Sequence, residues 1–394
     1  MESSSAGIVD IAMLGSFGMW KRGTLQSRAL PLARSIAART GLGVAIVTTP
    51  WDDPSQAGAS ETIDGVAIYN TRFVQQVHTP LAVVQQLRIL RTINPRVVHI
   101  MKPKAFAGLT ASALRRAMPD RHVVVDHDDW EGDGGWNDVS GYNVAARRLF
   151  DFQERRLIAS ADAVTAASTL LEERAKRLRR GRSNRGVVFL PNGLDNDWLA
   201  RLGQPGAERN NYESPALVLY SRFAEFSEKW LARMLIALDS VLAQPVVLHL
   251  IGRDEPDRPI FRDLQHIQPT WHGFATREAV PELLRRATVA IYPYEDNLIN
   301  RSKQSVKLLE LMASGCAVVA SDVGDIKRVG GDTVIAVDGQ DPRAFASAVV
   351  QILHNREGAS HLGARARERA ARFTVERMAT RLLRLYESCG VRYL

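Results

Sequence analysis

The sequence predicts an α/β protein built from two doubly wound, Rossmann-like domains. Apolar runs of strand length alternate with amphipathic runs of helix length on both sides of a Gly-, Pro- and Asn-rich segment at 201–215. The chain also has 394 residues, which suits about two domains better than one core. We therefore expect an N-terminal domain over 1–205, a C-terminal domain over 206–372, and a helix over 373–394 that packs back towards the N-terminal domain.

The N-terminal half begins with a buried strand, GIVDIAML, and a glycine-containing loop. After a turn and short hairpin region that starts near Trp51, strands and helices alternate regularly. The predicted strands are 7–14, 44–48, 97–100, 123–126, 163–167 and 187–190, and the predicted helices are 24–40, 81–93, 105–116, 142–160 and 169–179.

The C-terminal half repeats the alternation after the segment at 201–215, which we interpret as the linker. Its predicted strands are 217–220, 246–251, 270–273, 289–292 and 317–321, and its predicted helices are 229–242, 280–286, one from near Ser305 to Gly315, and 373–388.

Composition excludes several classes of protein. A hydrophobic content of 45% with 24% charged residues is typical of a soluble globular protein, and no apolar run is long enough to span a bilayer. The first seven residues lack the features of a signal peptide, so we expect a cytoplasmic protein. Cys316 and Cys389 fit no disulfide or metal spacing.

The net charge of +8 is densest in the Arg-rich segment at 175–185. Such a segment could meet an anionic membrane surface, an anionic substrate or nucleic acid, or it could be a solvated helix end. No recognition helix, zinc motif or aromatic stacking motif favours nucleic acid, which we therefore do not expect as a partner.

The loop after the first strand contains Gly15, Gly18 and Gly23. Their spacing departs from the G-x-G-x-x-G fingerprint of dinucleotide folds, so an NAD site is not indicated. Glycines here would instead allow a ligand or the other domain to come close.

A helix start in the second half is the strongest candidate for a phosphate site. A polar loop follows a buried strand, and the helix then begins near Ser305 at the carboxyl edge of a parallel sheet, where free N–H groups and the helix dipole favour phosphate. Of the 51 basic residues only 8 are lysines, yet Lys303 and Lys307 stand here. With Arg222 after another strand and Lys229 at another helix start, they predict a diphosphate site.

Glu310 lies in the same helix, among four apolar residues at 308–312. It is either a partly buried carboxylate whose partners could be the ribose hydroxyls of a nucleotide, or an ordinary surface glutamate.

An acidic loop, HDDWEGDGGWND at 127–138, follows a predicted strand at the sheet edge where open α/β folds place ligands. The carboxylates of Asp126, Asp128, Asp129, Glu131 and Asp133 could in principle ligate Mg²⁺ or Mn²⁺.

Motifs in a fixed order connect these features to a known family: PNGLD at 191–195, YSRF at 220–223, LIG at 250–252, WHGF at 271–274, VAIYPYED at 289–296, KLLELMASGCAVVASDVG at 307–324 and FTVERMATRLLRLYE at 373–387. Together they resemble glycosyltransferase family 4 of the GT-B fold, with the more specific motifs in the C-terminal half. The resemblance implies two Rossmann-like domains that face each other across a cleft, the N-terminal one binding the acceptor and the C-terminal one binding a nucleotide-sugar donor.

The resemblance also implies roles for individual residues. Arg222 and Lys229 would hold the diphosphate, Glu310 the ribose, and His127 would approach the donor sugar, although His127 could instead be hydrogen-bonded to its acidic neighbours. In this interpretation the catalytic residues are His127, Arg222 and Lys229. The donor-binding residues are Gly18, Gly23, Arg222, Lys229, Gly252, Lys303, Ser305, Val306, Lys307 and Glu310.

For the acidic loop, the resemblance favours acceptor binding over a metal, because GT-B enzymes generally work without one. Trp130 and Trp136 would stack on a sugar ring or aglycone. The carboxylates of Asp128, Asp129 and Glu131 would bind hydroxyl groups.

One position departs from the family pattern. The family has two glutamates eight positions apart, but the residue eight positions before Glu310 is Ser302. The first glutamate commonly contacts the donor sugar, so Glu295, Asp296 or Asn297 could take over that contact.

We therefore expect a metal-independent enzyme that needs no cofactor and moves a sugar from a nucleoside-diphosphate sugar to an acceptor hydroxyl, and the resemblance implies retention at the anomeric carbon. The acceptor could be a saccharide, a lipid-linked saccharide or a small natural product, with peripheral contact to a membrane surface. The alternatives are a nucleotide-sugar epimerase of the GT-B type and a catalytically degenerate binding partner, the latter suggested by Ser302.

Overall fold

The computed structural model describes residues 9–20, 23–181, 186–202, 215–252 and 259–392. Residues 1–7 and most of the predicted linker lie outside the described residues, as does the end of the Arg-rich segment. The chain divides into two compact units. Unit 1 comprises Met1–Gly193 and Val375–Leu394, and unit 2 comprises Leu194–Thr374, so the first division falls earlier than the boundary at residue 205 that the sequence suggests.

Unit 1 contains an eight-stranded sheet in the order β3-β4-β2-β1-β5-β6-β7-β8. All strands are parallel except β3, which forms an antiparallel hairpin with β4. Strands β1, β2 and β5 are buried along their whole length, as expected for a parallel sheet covered on both faces. The strands are β1 Ile11–Leu14, β2 Val44–Thr48, β3 Ser60–Ile63, β4 Val66–Asn70, β5 Val97–Met101, β6 His122–His127, β7 Ala163–Ala166 and β8 Val187–Phe189.

The helices of unit 1 begin and end at residues suited to those positions. Asn143 and Ser168 accept hydrogen bonds from the first turns of α5 and α6, and Gly41 ends α1 with a φ of 68°. A π-helical turn, Leu25–Ala29, precedes α1. The helices are α1 Leu30–Thr40, α2 Thr79–Ile93, α3 Ala105–Ala117, α4 Trp136–Val139, α5 Val144–Ser160 and α6 Thr169–Leu178.

Unit 2 contains a six-stranded, all-parallel sheet in the order β11-β10-β9-β12-β13-β14. Its strands are β9 Ala216–Ser221, β10 Val246–Gly252, β11 Ile267–Trp271, β12 Val289–Tyr292, β13 Ala317–Ser321 and β14 Val334–Val337. Its helices are α7 Asn196–Arg201, α8 Glu228–Asp239, α9 Val280–Arg285, α10 Leu298–Ser302, α11 Val306–Ala313, α12 Ile326–Gly330, α13 Pro342–His354 and α14 Arg356–Ala370.

The last helix, α15 Val375–Ser388, belongs to unit 1. Its apolar face, which includes Met378 and Leu382, packs in one buried cluster with Ile11 and Met13 of β1. The Tyr386 hydroxyl also lies 2.7 Å from a ring nitrogen of His99 on β5. Among the described helices, none is both long and apolar enough to cross a lipid bilayer.

The strand order reverses direction between β1 and β5 in unit 1 and between β9 and β12 in unit 2. In open α/β sheets, ligands bind outside the carboxyl ends of the strands at such a reversal. The loops that follow β1, β5 and β6, and those that follow β9 and β12, are therefore where each unit is expected to bind ligands.

Candidate active site

A cationic cluster lies at the carboxyl edge of the unit 2 sheet and is organised by Glu225. The Lys303 ammonium lies 2.7 Å from Oε1 of Glu225, and Nε of Arg222 lies 3.4 Å from the same oxygen. The other carboxylate oxygen accepts hydrogen bonds from the Ser221 hydroxyl at 2.8 Å and the Ala224 N–H at 3.2 Å. One buried carboxylate thus holds two cations side by side.

The electrostatics of this cluster leave it with spare positive charge. Burial by itself would raise the pKa of Glu225, but the charges of Lys303 and Arg222 lower it to about 2. The carboxylate is therefore ionised at neutral pH. The Arg222 side chain is 52% exposed, so it can contact a ligand without leaving Glu225.

Lys307 and Glu310 extend the cluster along one face of α11. The Lys307 ammonium lies 4.6 Å from the centre of the Tyr220 ring, a cation–π contact. Burial lowers the pKa of Lys307, and the charges of Arg222 and Lys303 lower it further. A nearby anion would relieve the repulsion among these three cations.

Glu310 is half-buried, and burial raises the pKa of its carboxyl above the usual range despite the charge of Lys307. Its Oε2 atom is out of contact with solvent and accepts no hydrogen bond from the described residues. A buried acceptor without a donor is costly, so Glu310 suits a ligand that brings hydroxyl groups.

Helix α11 begins beside these side chains. Ser305 caps it by accepting a hydrogen bond from the Lys307 N–H, and Val306 is its first residue. The apolar residues Leu308, Leu309 and Leu311 anchor the helix to the core of unit 2. The helix start is thereby fixed next to Lys303, as the sequence predicts.

Ser302, which replaces the first glutamate of the family pattern, is fully buried. Its hydroxyl donates a hydrogen bond to the Ile299 carbonyl oxygen at 3.0 Å, within α10. The side chain at this position therefore faces the protein interior.

The three residues considered as replacements for that glutamate have local partners. Glu295 accepts a hydrogen bond from the Ser227 N–H at 2.9 Å, Asp296 pairs with Arg301, and Asn297 caps α10. Of these, Glu295 links the loop after β12 to the start of α8, which keeps it near the donor-site elements.

Lys229 and Gly252 lie on neighbouring elements of the same sheet edge. Lys229 is exposed in the first turn of α8. Gly252 ends β10 with a φ of 138°, and a Cβ atom there would come within 1.7 Å of the Ser221 carbonyl oxygen. Only glycine therefore fits, and its close approach shapes the strand end that leads to Arg222.

In unit 1, the acidic loop forms a network of ion pairs with Lys102 and Lys104, which follow β5. The Lys102 ammonium lies 2.5 Å from Asp129, 3.0 Å from Glu131 and 3.8 Å from Asp128. The Lys104 ammonium pairs with the other oxygen of Glu131. Sequence reasoning missed both lysines, although their rarity in this chain could have drawn attention to them.

These pairs shift the carboxyl groups in opposite directions. Burial would raise the pKa of Glu131, but Lys102 and Lys104 lower it to about 2. For Asp128, burial raises the pKa to about 7, and the charge of Asp129 adds to the effect against the attraction of Lys102. Asp128 is therefore the carboxyl group of this loop that changes charge near neutral pH.

His127, at the end of β6, is buried with 1% of its surface exposed. Its Nδ1 lies 3.2 Å from the Leu171 carbonyl oxygen, and its Nε2 lies 3.2 Å from the Glu154 carboxylate. Both ring nitrogens thus face protein groups, and the predicted approach of His127 to a donor sugar stays a prediction.

Trp130 and Trp136 are both partly exposed on the acidic loop. The guanidinium of Arg174 stacks on the Trp130 ring at 3.8 Å, and the Trp130 indole N–H donates to the Asp133 carbonyl oxygen. One face of Trp130 is therefore occupied by an arginine.

The glycine loop after β1 is closed by local contacts. Gly18 is buried, and its N–H donates to the Asp52 carboxylate at 2.6 Å. Gly23 is exposed, just before the π-helical turn. The Gly18 N–H is therefore already used, and donor binding by these two glycines stays a prediction.

Asp126, the first carboxylate considered for a metal, is fully buried and forms a two-pronged ion pair with Arg28. Thr165 donates a further hydrogen bond to it at 2.6 Å. Within the described ranges, no group of three or more His, Cys, Asp or Glu side chains is arranged to hold a metal ion. The acidic loop is instead balanced by lysines and arginines.

Comparison with protein families assigns both units. Residues 23–193 match the "Glycosyl transferase 4-like domain", and residues 214–355 match "Glycosyl transferases group 1". Between them the two families span most of the chain.

Individual relatives are more distant. The chain is 28% identical over 209 residues to phosphatidyl-myo-inositol mannosyltransferase of Mycolicibacterium smegmatis, a match that covers 51% of this chain and 52% of that protein. It is 27% identical over 335 residues to D-inositol 3-phosphate glycosyltransferase of Geodermatophilus obscurus, covering 73% and 72% of the two chains. The chain thus spans about half the length of the first of these relatives.

Solved structures share the fold over nearly the whole length. Sucrose-phosphate synthase of Thermosynechococcus elongatus superposes with a TM-score of 0.67 at 20% identity, covering 97% of this chain and 99% of the other. The Anabaena protein HepE in complex with UDP superposes with a TM-score of 0.66 at 13% identity, covering 96% and 100%.

The two parallel sheets and these matches define the protein as a glycosyltransferase with the GT-B fold. Within that class, residues 214–355 match the group 1 glycosyltransferases, and the chain resembles glycosyltransferase family 4, as its motifs predict.

Proposed function

We propose that the protein transfers a hexose from a nucleoside-diphosphate sugar to an acceptor hydroxyl, with retention and without a metal. The observation that carries this proposal is the cationic cluster of unit 2. Arg222, Lys303 and Lys307 lie together at the sheet edge where ligands bind in this topology, and the Glu225 carboxylate pairs with both Arg222 and Lys303. A diphosphate would supply the negative charge that complements them.

The cationic groups of unit 2 would also stabilise the transition state of the transfer reaction. As the acceptor hydroxyl attacks the anomeric carbon on the face that the diphosphate leaves, the bond to the diphosphate breaks and negative charge grows on the departing phosphate oxygens, one of which accepts the hydroxyl proton. Arg222, the exposed Lys229 and the start of α11 would stabilise that charge. Cationic side chains here take the part that a divalent metal plays in other transferases, which supports a metal-independent reaction that needs no cofactor.

Glu310 would bind the ribose. Its Oε2 atom has no hydrogen-bond donor among the described residues, and the hydroxyl groups of a ribose would provide one. The acceptor would bind at the carboxyl edge of unit 1, where Asp128 and Asp129 lie beside Lys102 and are partly exposed. Hydrogen bonds from acceptor hydroxyls to these carboxylates remain part of the proposal.

The relatives suggest which ligands to test first. HepE is described in complex with UDP and with UDP-glucose, and a fold neighbour from Burkholderia vietnamiensis is named as UDP-forming. Two of the curated relatives are named for inositol-containing acceptors. A UDP-sugar donor and a polyol or saccharide acceptor, free or lipid-linked, are therefore the first candidates. That these relatives are transferases supports transfer over the epimerase and binding-partner alternatives.

Location and membrane contact stay predictions. Part of the Arg-rich segment is structural, because Arg179 is buried and donates to the carbonyl oxygens of Ile158 and Ala161. Fewer of its arginines are free to meet a membrane than the sequence suggests.

A thermal-shift panel tests the donor part of the proposal. We expect UDP, GDP, UDP-glucose or GDP-mannose to raise the melting temperature of the wild-type protein, because a ligand that binds only the folded state stabilises it. The effective ligand should then release its nucleoside diphosphate only when an acceptor is added. A panel in which no nucleotide stabilises the protein would refute the proposal, and conversion of the free sugar nucleotide without an acceptor would point to an epimerase.

A further inference from the structure

A surface pocket of about 620 Å³ opens in unit 1 beside the acidic loop. Its walls come from α4, from one side of α5, from Trp130 and from Arg174 on α6. Charged side chains dominate the lining, and they are Arg147, Arg148, Arg155, Arg174, Asp133, Asp138 and Asp151. The transfer chemistry assigned to unit 2 does not use this pocket.

Two of the arginines are neutralised by aspartates of the same wall. Arg147 lies 3.3 Å from Asp138, and Arg155 lies 2.5 Å from Asp151 on the preceding turn of α5. Arg148 is exposed and forms no ion pair with the described residues, and the same holds for Asp133, which also lines the pocket. Arg148 is thus the lining cation that keeps its charge available to an anion.

Arg174 forms the deeper part of the wall, and only some of its N–H groups have hydrogen-bond acceptors. It is 7% exposed, its Nη2 pairs with the buried Glu154 at 2.7 Å, and the Trp130 ring covers its guanidinium. Its Nη1 is buried without a hydrogen-bond acceptor among the described residues. A guanidinium is planar and presents paired N–H groups, so the unused edge suits a carboxylate or phosphate.

Asn137 supplies a second unused donor in the same wall. The residue is 1% exposed, and its Oδ1 accepts a 3.4 Å hydrogen bond from Lys104. Its Nδ2, like Nη1 of Arg174, has no acceptor among the described residues. Buried donors in native proteins are almost always paired, and two of them lining one pocket call for a ligand with acceptor oxygens.

We infer that this pocket binds an anionic oxygen group, a phosphate monoester or a carboxylate, carried by the acceptor. That the acceptor carries it rests on the proposed transfer reaction, whereas the anion site itself rests only on the pocket. Arg148 attracts the anion at the rim, and Arg174 and Asn137 donate hydrogen bonds to it. Because their unused nitrogens are out of contact with solvent, the Trp130 ring moves aside when the anion enters.

The test uses inorganic phosphate as the probe and the Trp130 indole as the reporter. Protein labelled with ¹⁵N-tryptophan is titrated with phosphate at constant ionic strength, and the Trp130 signal is assigned from Trp130→Phe. We expect a saturable shift of that signal, and an apparent Kd about fivefold weaker in Arg148→Ala, the scale of one attracting charge at a solvated rim. Arg156→Ala, which removes an equal charge from the same helix outside this pocket, should bind phosphate like the wild type.

A second variant tests the buried donors of the pocket wall and leaves the Arg174–Glu154 ion pair in place. Asn137→Asp places a carboxylate where the unused N–H group stands, so phosphate should no longer shift the Trp130 signal. A Trp130 signal that does not respond to phosphate in the wild type, or equal losses in Arg148→Ala and Arg156→Ala, would overturn the inference.

Two further titrations distinguish the sources of the anion. A soluble sugar phosphate that competes with inorganic phosphate for the Trp130 shift identifies a soluble acceptor. Phosphatidic acid vesicles, which present a phosphate monoester, identify a lipid headgroup if they compete and phosphatidylcholine vesicles do not. Competition by neither contradicts the assignment to an acceptor. All these titrations are carried out without a nucleotide-sugar donor. Their outcome is therefore independent of whether a nucleotide binds to unit 2.

Discussion

At the carboxyl edge of the unit 2 sheet, Arg222 and Lys303 share one carboxylate, whereas at the corresponding edge of unit 1 the single ammonium group of Lys102 lies near three carboxylates. The first arrangement has spare positive charge and exposed donors. The second is close to neutral and largely enclosed. Charged residues at equivalent places in the two folds are thus arranged differently: two cations share one carboxylate in unit 2, whereas three carboxylates surround Lys102 in unit 1, with Lys104 as a further partner of Glu131.

The largest expected effect is on stability, and it tests whether the buried charges of unit 1 hold its structure together. Asp126→Asn removes the charge that faces the buried Arg28 guanidinium, and leaving one partner of a buried pair alone costs about 3 kcal/mol of the free energy of unfolding. Chemical denaturation of the wild type and the variant measures it. Asp133→Asn, at an exposed carboxylate of the acidic loop, serves as the control and should unfold like the wild type.

The pH dependence of the same pair has a definite sign. Burial would raise the pKa of Asp126, but Arg28 holds it below its ordinary value. A lowered pKa in the folded state contributes stability above the unfolded value of about 3.9, and that stability is lost as the pH falls through the folded value. The stability gap between wild type and Asp126→Asn should therefore narrow in acid, and a constant gap would contradict the ion-pair explanation.

The next largest effect is on turnover, and it tests the function proposed for the cationic edge of unit 2. Arg222→Ala or Lys229→Ala should lower turnover by roughly a hundredfold or more, because each removes a group that stabilises the departing diphosphate. Both side chains are exposed, so the free energy of unfolding should change little. Steady-state kinetics beside denaturation separates the two quantities. Arg233→Ala, an exposed arginine on the helix that carries Lys229, is the matched control. Near-normal turnover in both variants would contradict the roles proposed for Arg222 and Lys229.

Local sequence signals were sufficient for most of the fold. The predicted strand at 44–48 coincides with β2, and the helix predicted to begin near Ser305 is capped by that residue. Burial on both faces leaves continuous apolar runs, and capping residues mark helix ends, so both features are visible in the sequence. The helix α7, with Asp195 as its cap, was missed because it is short and lies next to the segment interpreted as the linker.

The site was predictable only where its chemistry follows a motif. Arg222, Lys307 and Glu310 stand in recognisable positions, but Glu225 does not, because a single glutamate one turn after an arginine has no pattern of its own. Its role depends on Lys303, which is distant in sequence. The same holds for Lys102, whose three acidic partners are reached only through the pairing of β5 with β6.

Glu225 provides a prediction of intermediate size. Glu225→Gln keeps a hydrogen-bond acceptor for the Ser221 hydroxyl but removes the charge that positions Arg222 and Lys303. We expect the KM for the donor to rise about tenfold, in line with one charge-assisted hydrogen bond, while kcat changes less. A purely structural role would lower the melting temperature without this split between KM and kcat. Glu225→Asp, which keeps the charge, should recover part of the donor affinity.

The smallest effect concerns Asp128, the one carboxyl group of the unit 1 edge with a pKa raised to about 7. Burial is the main cause, so the folded protein holds a proton on Asp128 at pH values where the unfolded chain does not. The stability that this proton contributes is present below the unfolded value of about 3.9 and is lost as the pH rises through about 7. Asp128→Asn cannot lose a proton, and Lys102 keeps Asp129 and Glu131 as partners. The free energy of unfolding of the wild type should therefore fall relative to that of Asp128→Asn between about pH 4 and 7 and stay level above that range. Parallel pH profiles would mean that the carboxylate at this edge is better neutralised than its enclosure suggests.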